Sequence, residues 1–243
     1  MLKHRVAMAI FFSYGTSVKT WDNAGFLMRE VKWINRLAEY FSKIYLVTYG
    51  DISDLKYERF FKRNVRILCN KWLLPNAIYS FLIPILYHRQ LREARIYRTI
   101  QVQGSWSAII SKLLFKRGHK LVVRQGYRLS KFTYYEGGLS RIIAHFLERL
   151  VLLFADAVIV TSRADANYVK LVAPKLSSKV VHIPNYVDTN AFKPERREDQ
   201  RSGICFVGRL HPQKNLLNLL EAIKDLNTHL TIVGDGPLRG EIE

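Results

Sequence analysis

Acidic side chains are scarce. Twenty Asp and Glu stand against 38 Lys and Arg in 243 residues, a formal net charge of +18. The shortage is local: residues 56–149 carry 19 basic and 4 acidic side chains, whereas residues 201–243 carry 5 of each. A surface so short of carboxylates attracts a polyanion: nucleic acid, anionic lipid or a phosphorylated substrate. Its confinement to one stretch speaks against a general solubility device. Cysteine is scarcer still. Cys69 and Cys205 lie far apart, so neither a disulfide framework nor zinc-ligand spacing exists, and both read as buried thiols in a reducing compartment. The seven histidines form no metal-ligand pattern. His145 has no partner group in the sequence that would give it a catalytic role. No apolar run reaches the ~18 residues of a membrane span. Lys3-His4-Arg5 followed by apolar residues 6–12 imitates a secretory signal, but no small-residue cleavage site follows, so 6–12 reads as a buried first strand. Repeats and low-complexity segments are absent, and 49% hydrophobic with 24% charged residues is globular composition that excludes disorder.

What is present is an alternation of short β-rich runs and longer helical patterns. Strands are expected at 6–12, 44–48, 65–69, 100–103, 120–124, 157–161 and 180–183. Helices are expected at 26–41, 105–115 and 139–154. Leu27, Val31, Ile34, Leu37, Ala38 and Phe41 form the apolar face of the first of these. Residues 75–98 read as mainly helix, broken near Pro84. Ser162-Arg163-Ala164-Asp165 has the form of a capping box that opens a further helix. This βαβα rhythm predicts an α/β fold, a Rossmann-like doubly wound parallel sheet of about seven strands with helices on both faces. Residues 195–202 contain no apolar side chain and read as a linker between a first domain, 1–194, and a second unit, 203–243. That unit has strands at 204–207 and 230–233 around a helix at 216–226. Two strands cannot bury a core alone, so it reads as the start of an incomplete second Rossmann-like domain.

The sharpest constellation is Val207-Gly208-Arg209-Leu210-His211-Pro212-Gln213-Lys214-Asn215, between a strand and a helix with Asn215 as its N-cap. Loops at the carboxyl ends of parallel strands form ligand crevices, and a helix N-terminus offers free N–H groups to an anion. Arg209 and Lys214 add two cations. The parts suit a diphosphate, while a surface loop with solvated charges explains the same residues more plainly.

Gly208-Arg209-Leu210 with Lys214-Asn215 resembles the G-R-L-x-x-x-K-G signature of GT-B glycosyltransferases of family 4. Three further segments agree in order. The stretch from Ala155-Asp156 through Val160-Thr161-Ser162 is similar to the family's A-D-x-V-x-x-x-S strand. Ile183-Pro184-Asn185-Tyr186-Val187-Asp188 with Phe192 and Pro194 matches I-P-N-G-V-D-x-x-x-F-x-P. Val233-Gly234-Asp235-Gly236-Pro237 matches the V-G-x-G-P turn. The resemblance is strong over residues 155–243 and weak before them.

The resemblance implies two Rossmann-like domains facing a cleft, the first holding the acceptor and the second a nucleotide-sugar. It implies transfer with retention of configuration, with no cofactor and no bound metal. The activity implied is a hexosyl- or related transfer to a glycan or lipid-linked acceptor, in cell-surface polysaccharide or glycolipid synthesis. Arg209 and Lys214 would hold the donor diphosphate, with Gly208, Gly25 and Gly234 letting the donor approach; Gly234 reads equally as part of a plain turn. Gly25 stands where the family carries a Gly-rich loop before the first helix. Gln125 stands where many members carry a His near the donor sugar, and it cannot titrate. Arg124, Gln125, Tyr127 and Arg128 are the expected acceptor-side residues, with a ring-and-cation loop through Lys131, Tyr134 and Tyr135 beyond them. The family's E-x(7)-E carboxylates would lie past Glu243. The resemblance therefore implies a member truncated within its donor domain and inactive by itself, with no catalytic residue to carry over.

The basic stretch fits a cytoplasmic protein peripheral to the inner face of a membrane, with Trp72, Leu73, Leu74, Ile78, Phe81, Leu82 and Ile85 entering the interface. A core helix explains the same apolar set. Two other readings compete. A basic nucleic-acid-binding α/β protein would explain +18 but shows no recognisable binding motif, so no nucleic acid is expected. A nucleotide-sugar epimerase shares the two-domain fold but lacks its characteristic motifs here.

Overall fold

The computed structural model describes residues 6–115, 118–128, 138–194 and 202–243. It divides into two compact units, Met1–Asn185 and Tyr186–Glu243. The first is built on a seven-stranded, wholly parallel sheet. Its strands are β1 (Ala7–Phe11), β2 (Lys43–Val47), β3 (Val65–Leu68), β4 (Ala94–Thr99), β5 (Lys120–Gln125), β6 (Ala157–Val160) and β7 (Val180–His182), in the order β3-β2-β1-β4-β5-β6-β7. Every residue of β1 is buried, as a central strand covered on both faces must be. Successive strands are added toward one edge up to β3 and toward the other from β4, so the gap between β1 and β4 is the topological switch point where such sheets hold ligands.

One face carries α1 (Val18–Asn23), α2 (Leu27–Leu37) and a 3-10 turn at Ile52–Phe60. There Val18, Trp21, Leu27, Val31, Ile34 and Tyr57 pack on Met8, Ile10, Ile44 and Leu46. The opposite face carries α3 (Asn76–Leu86), α4 (His88–Glu93), α5 (Ser105–Phe115), α6 (Gly138–Phe154) and α7 (Arg163–Val172). Tyr79, Ile83, Leu91, Ala108, Val151 and Val169 pack there on Phe11, Tyr97, Leu121 and Val158. The expected doubly wound α/β sheet is therefore present. The second unit has two parallel strands, β8 (Ile204–Val207) and β9 (Leu230–Val233), with α8 (Leu216–Ile223) and α9 (Arg239–Ile242).

Three local expectations need correction. The fourth strand is Ala94–Thr99, not 100–103, and Val102–Gly104 is a 3-10 turn. Helix α4 runs straight into β4 with no Gly or Pro between them, so the sequence shows no boundary; the slot between β1 and β5 decides it. The break expected near Pro84 falls three residues later, at Tyr87 between α3 and α4, and Pro84 itself lies inside α3. Pro84 cannot donate to the Ser80 carbonyl one turn back, and the Ser107 hydroxyl of α5 donates to it instead, at 2.8 Å. Cys69 is buried as expected, but Cys205 is exposed, on a strand whose residues alternate between half-buried and exposed.

Candidate functional site

In the second unit the loops after β8 and β9 are knitted together. The amide of Gly208 donates to the Val233 carbonyl (3.0 Å), that of Leu210 to Asp235 (2.9 Å), and that of Leu238 to Leu210 (3.0 Å). Glycine makes this approach possible. A Cβ on Gly234, whose φ is +150°, would stand 1.9 Å from the Gly208 carbonyl oxygen, and one on Gly236 2.4 Å from that of Leu210. The missing side chain of Gly234 thus lets the neighbouring loop pack against it, which fits its reading as part of a plain turn. A Cβ on Gly208 would meet nothing closer than 3.5 Å, and Lys214 Cε lies 4.0 Å from that point.

Arg209 and Lys214 are exposed at this loop pair, and neither side chain has a hydrogen-bond or ion-pair partner among the described residues. Asn215 takes a left-handed backbone (φ 56°, ψ 36°), a conformation that Asn tolerates and that Gly would adopt freely. It begins α8 without a side-chain cap, so the expected N-cap bond is not made. The loop pair therefore offers two unengaged cations beside an uncapped helix start, chemistry that suits an anionic ligand.

In the first unit the expected acceptor residues separate. β5 alternates, so Leu121, Val123 and Gln125 face the α5–α6 layer while Arg124 faces the α2 side. Gln125 is 1% exposed, and its Nε2 has no partner. Arg128 turns to α7, its Nε 3.6 Å from Asp165 and its guanidinium over the Tyr168 ring. Tyr127 donates to Gln103 Oε1 at 3.2 Å. Arg124 donates to the Ile100 carbonyl (3.2 Å) and to Asn185 Oδ1 (2.8 Å). The four residues do not form one cluster, because neighbours along a strand point to opposite faces. Lys131, Tyr134 and Tyr135 lie outside the described residues.

Gly25 does not precede the first helix. It lies between α1 and α2 with φ +75°, and a Cβ there would meet nothing within 4 Å. The end of α1 is closed to a ligand anion: buried Asp54 accepts from the amides of Val18 (3.2 Å) and Lys19 (3.0 Å) and from Thr48 Oγ1 (2.7 Å). His145, read as partnerless, faces Tyr168 Oη at 3.4 Å and the carboxylate of Glu148 at 3.9 Å. The capping box at Ser162 forms in part. Its hydroxyl accepts from the Asp165 amide, but Asp165 takes the Ser162 hydroxyl rather than the backbone N–H.

At the switch point, sequence reasoning missed a mainly apolar cavity of about 340 Å³. Tyr14 from the loop after β1, Val102 and Gln103 after β4, Trp106 and Ile109 of α5, and Leu147, Leu150 and Val151 of α6 line it. Its volume is at the lower end for ligand pockets, roughly 300–1,000 Å³. The residues that build it come from four segments far apart in the chain, a juxtaposition no local pattern announces. Among the described residues no group of three or more His, Cys, Asp or Glu is placed to hold a metal ion.

No protein-family model matches the chain, and no curated protein does. Solved structures do match. The lipopolysaccharide outer core galactosyltransferase WaaB, in its apo form, has a TM-score of 0.63 at 12% identity over 97% of this chain and 63% of its own. Anabaena HepE in complex with UDP-glucose has a TM-score of 0.59 at 15% identity, covering 98% of this chain and 63% of its own. A UDP-N-acetylglucosamine 2-epimerase from Rickettsia bellii has a lower TM-score of 0.51 at 10% identity, covering 98% and 64%. At these identities the likeness is one of fold. The chain has the GT-B type of α/β architecture, and it spans about 63% of the length of WaaB and of HepE.

Proposed function

We propose that the chain is the acceptor-side domain and the beginning of the donor-side domain of a retaining family 4 glycosyltransferase. It would move a sugar from a nucleotide-sugar to a glycan or lipid-linked acceptor, in cell-surface polysaccharide or glycolipid synthesis on the cytoplasmic side of a membrane. The observation that carries this reading is the glycine-packed loop pair of the second unit, where Arg209 and Lys214 stand without internal partners. A nucleoside diphosphate leaves with growing negative charge, and fixed cations beside it lower the barrier. HepE, of similar fold, was solved with UDP-glucose, so UDP is the natural probe.

The 243 residues supply no counterpart of the E-x(7)-E carboxylates. The reading therefore expects transfer from a protein that carries them and not from this chain alone. In such a protein, Arg209→Ala and Lys214→Ala each lower kcat/KM by roughly 10²-fold, the scale of a lost transition-state charge contact. In the chain itself both substitutions weaken UDP binding measured by calorimetry. A transferase indifferent to both would place the donor elsewhere.

An anionic membrane is the proposed acceptor-side partner. Its support is the outer surface of the α3–α5–α6 layer, where Ile78, Phe81 and Ile85, then Leu113 and Leu114, then Ile142, Phe146 and Leu153 are all exposed. No described helix is long and apolar enough to cross a membrane. An apolar surface beside a cationic stretch is the pattern of a protein that lies on a bilayer.

A further inference from the structure

Buried charges are normally paired, because an unpaired ion loses its hydration without compensation. Arg98, half-buried with its Nη1 fully enclosed, breaks this pattern. It lies near the end of β4 on the α2 side of the sheet, with its guanidinium 4.2 Å from the centre of the Trp33 ring. It has no hydrogen bond or ion pair among the described residues, and its Nη1 is buried with no partner. Arg124, on the next strand, faces the same side and is near enough for its charge to act on Arg98. Arg29, in the first turn of α2, is near enough to act on Arg124. The one carboxylate among them is Glu30, which is already engaged: it accepts from Arg29 Nη2 at 2.7 Å and from Trp33 Nε1 at 2.6 Å. Among the described residues, Glu30 is the carboxylate whose charge acts on both Arg98 and Arg124. Burial, then the charge of Arg124, pulls Arg98 down to about 10, and burial lowers Arg124 as well. Among the described residues, nothing pairs with Arg98 to offset its charge.

We infer that Arg98 and Arg124 form the floor of an oxyanion site that receives an acidic group, of the phosphate class, carried by the acceptor. The inference rests on the transferase reading above and deepens it by naming the acceptor's chemistry. A guanidinium carries N–H donors in a planar fork that matches a phosphate group, and Arg98 Nη1 is taken by no described residue, while Arg124, which also bonds Ile100 and Asn185, adds a second positive charge beside it. Trp33 fixes the plane of one, and the Ile100 carbonyl and Asn185 fix the other. The protein tolerates the unpaired charge because the ligand completes it, a common exchange of stability for function.

The test uses inorganic phosphate as the probe and the 243-residue protein as it stands. Thermal unfolding is followed in phosphate against chloride at equal ionic strength, so that general screening of the +18 surface cancels. Wild type gains a saturable rise in Tm. Arg98→Gln weakens phosphate binding at least about tenfold, the scale of one charge-assisted hydrogen bond, while its Tm in chloride stays level or rises because an uncompensated charge has gone. Arg163→Gln, at an exposed arginine, changes neither. Isothermal titration of wild type with phosphate gives a second measurement that does not depend on any variant folding.

Equal phosphate responses in wild type and Arg98→Gln would overturn the inference, as would absence of phosphate binding to wild type. UDP separates the two possible sources of the anion. A phosphate response that persists in saturating UDP assigns the site to the acceptor, whereas one that UDP abolishes assigns these arginines to the donor and overturns it. No UDP binding with the phosphate response intact supports this site and counts against the donor reading alone.

Discussion

At the scale of single residues, Asp156 shows how a motif residue earns its place by structure. Its carboxylate accepts from Lys112 Nζ at 2.5 Å and from the Leu121 amide at 2.7 Å, and its own amide donates to the Leu121 carbonyl at 2.8 Å. It thus fastens α5 and the start of β5 to the start of β6. Partial burial on its own would raise its pKa, but the Lys112 hydrogen bond, the Leu121 amide and the charges of Lys112 and Lys120 outweigh burial and hold it below the usual carboxylate value. A carboxylate depressed in the folded state stabilises the fold fully above the unfolded value of about 4, and this contribution is lost as pH falls through the lower folded value. Asp156→Asn therefore costs about 1 kcal/mol at pH 7, the scale of a partly exposed pair with its hydrogen bonds. The deficit shrinks as pH falls below 3. Urea midpoints at the two pH values check this, and an equal deficit at both would contradict it.

At the scale of elements, close backbone approach at the switch point decides the packing. A Cβ on Gly104 would stand 2.0 Å from the Phe12 carbonyl oxygen, so only glycine lets the turn before α5 pass over the end of β1. Gly104→Ala forces the backbone apart, an overpacking cost of about 1–3 kcal/mol. For a unit of this size that lowers Tm by roughly 2–12 °C, read by calorimetry; an unchanged Tm would show that α5 can shift freely. The same turn leads to Ser107, which donates to the carbonyl that Pro84 leaves unpaired. One element's irregularity is thus completed by its neighbour, and α3 runs on past Pro84 to Leu86.

At the scale of the whole molecule, charge and exposed apolar surface make one prediction together. Sedimentation with phosphatidylglycerol vesicles falls steeply with salt, at about 1 kcal/mol per engaged cation, and neutral phosphatidylcholine vesicles bind far less. Phe81→Gln and Phe146→Gln, both at exposed positions, reduce vesicle binding while stability stays within about 0.5 kcal/mol. Unchanged binding by these variants, or tighter binding to RNA than to vesicles at the same salt, would remove the membrane reading and restore the nucleic-acid one.

The doubly wound parallel sheet was legible because each crossover carries its own local signal. Apolar runs such as 6–12 and 157–161 are bounded by polar turns, and periodic helices lie between them. The four ordered segments from Ala155 to Pro237 pointed to the GT-B architecture for the same reason: short loops of fixed backbone shape demand Gly, Pro and Asn at set spacings. What the sequence could not decide depends on neighbours distant in the chain. Ala94–Thr99 became a strand because a slot lay open between β1 and β5. Gln125 and Arg124 parted because the pleat sends adjacent side chains to opposite faces. Asp54 sealed the end of α1 across more than thirty residues of chain. Arg98 was read as part of a helix. Its unpaired charge emerged only when the sheet set it beside Arg124 and the fold half-buried both, because the cost of a charge is fixed by what surrounds it and not by its place in the chain.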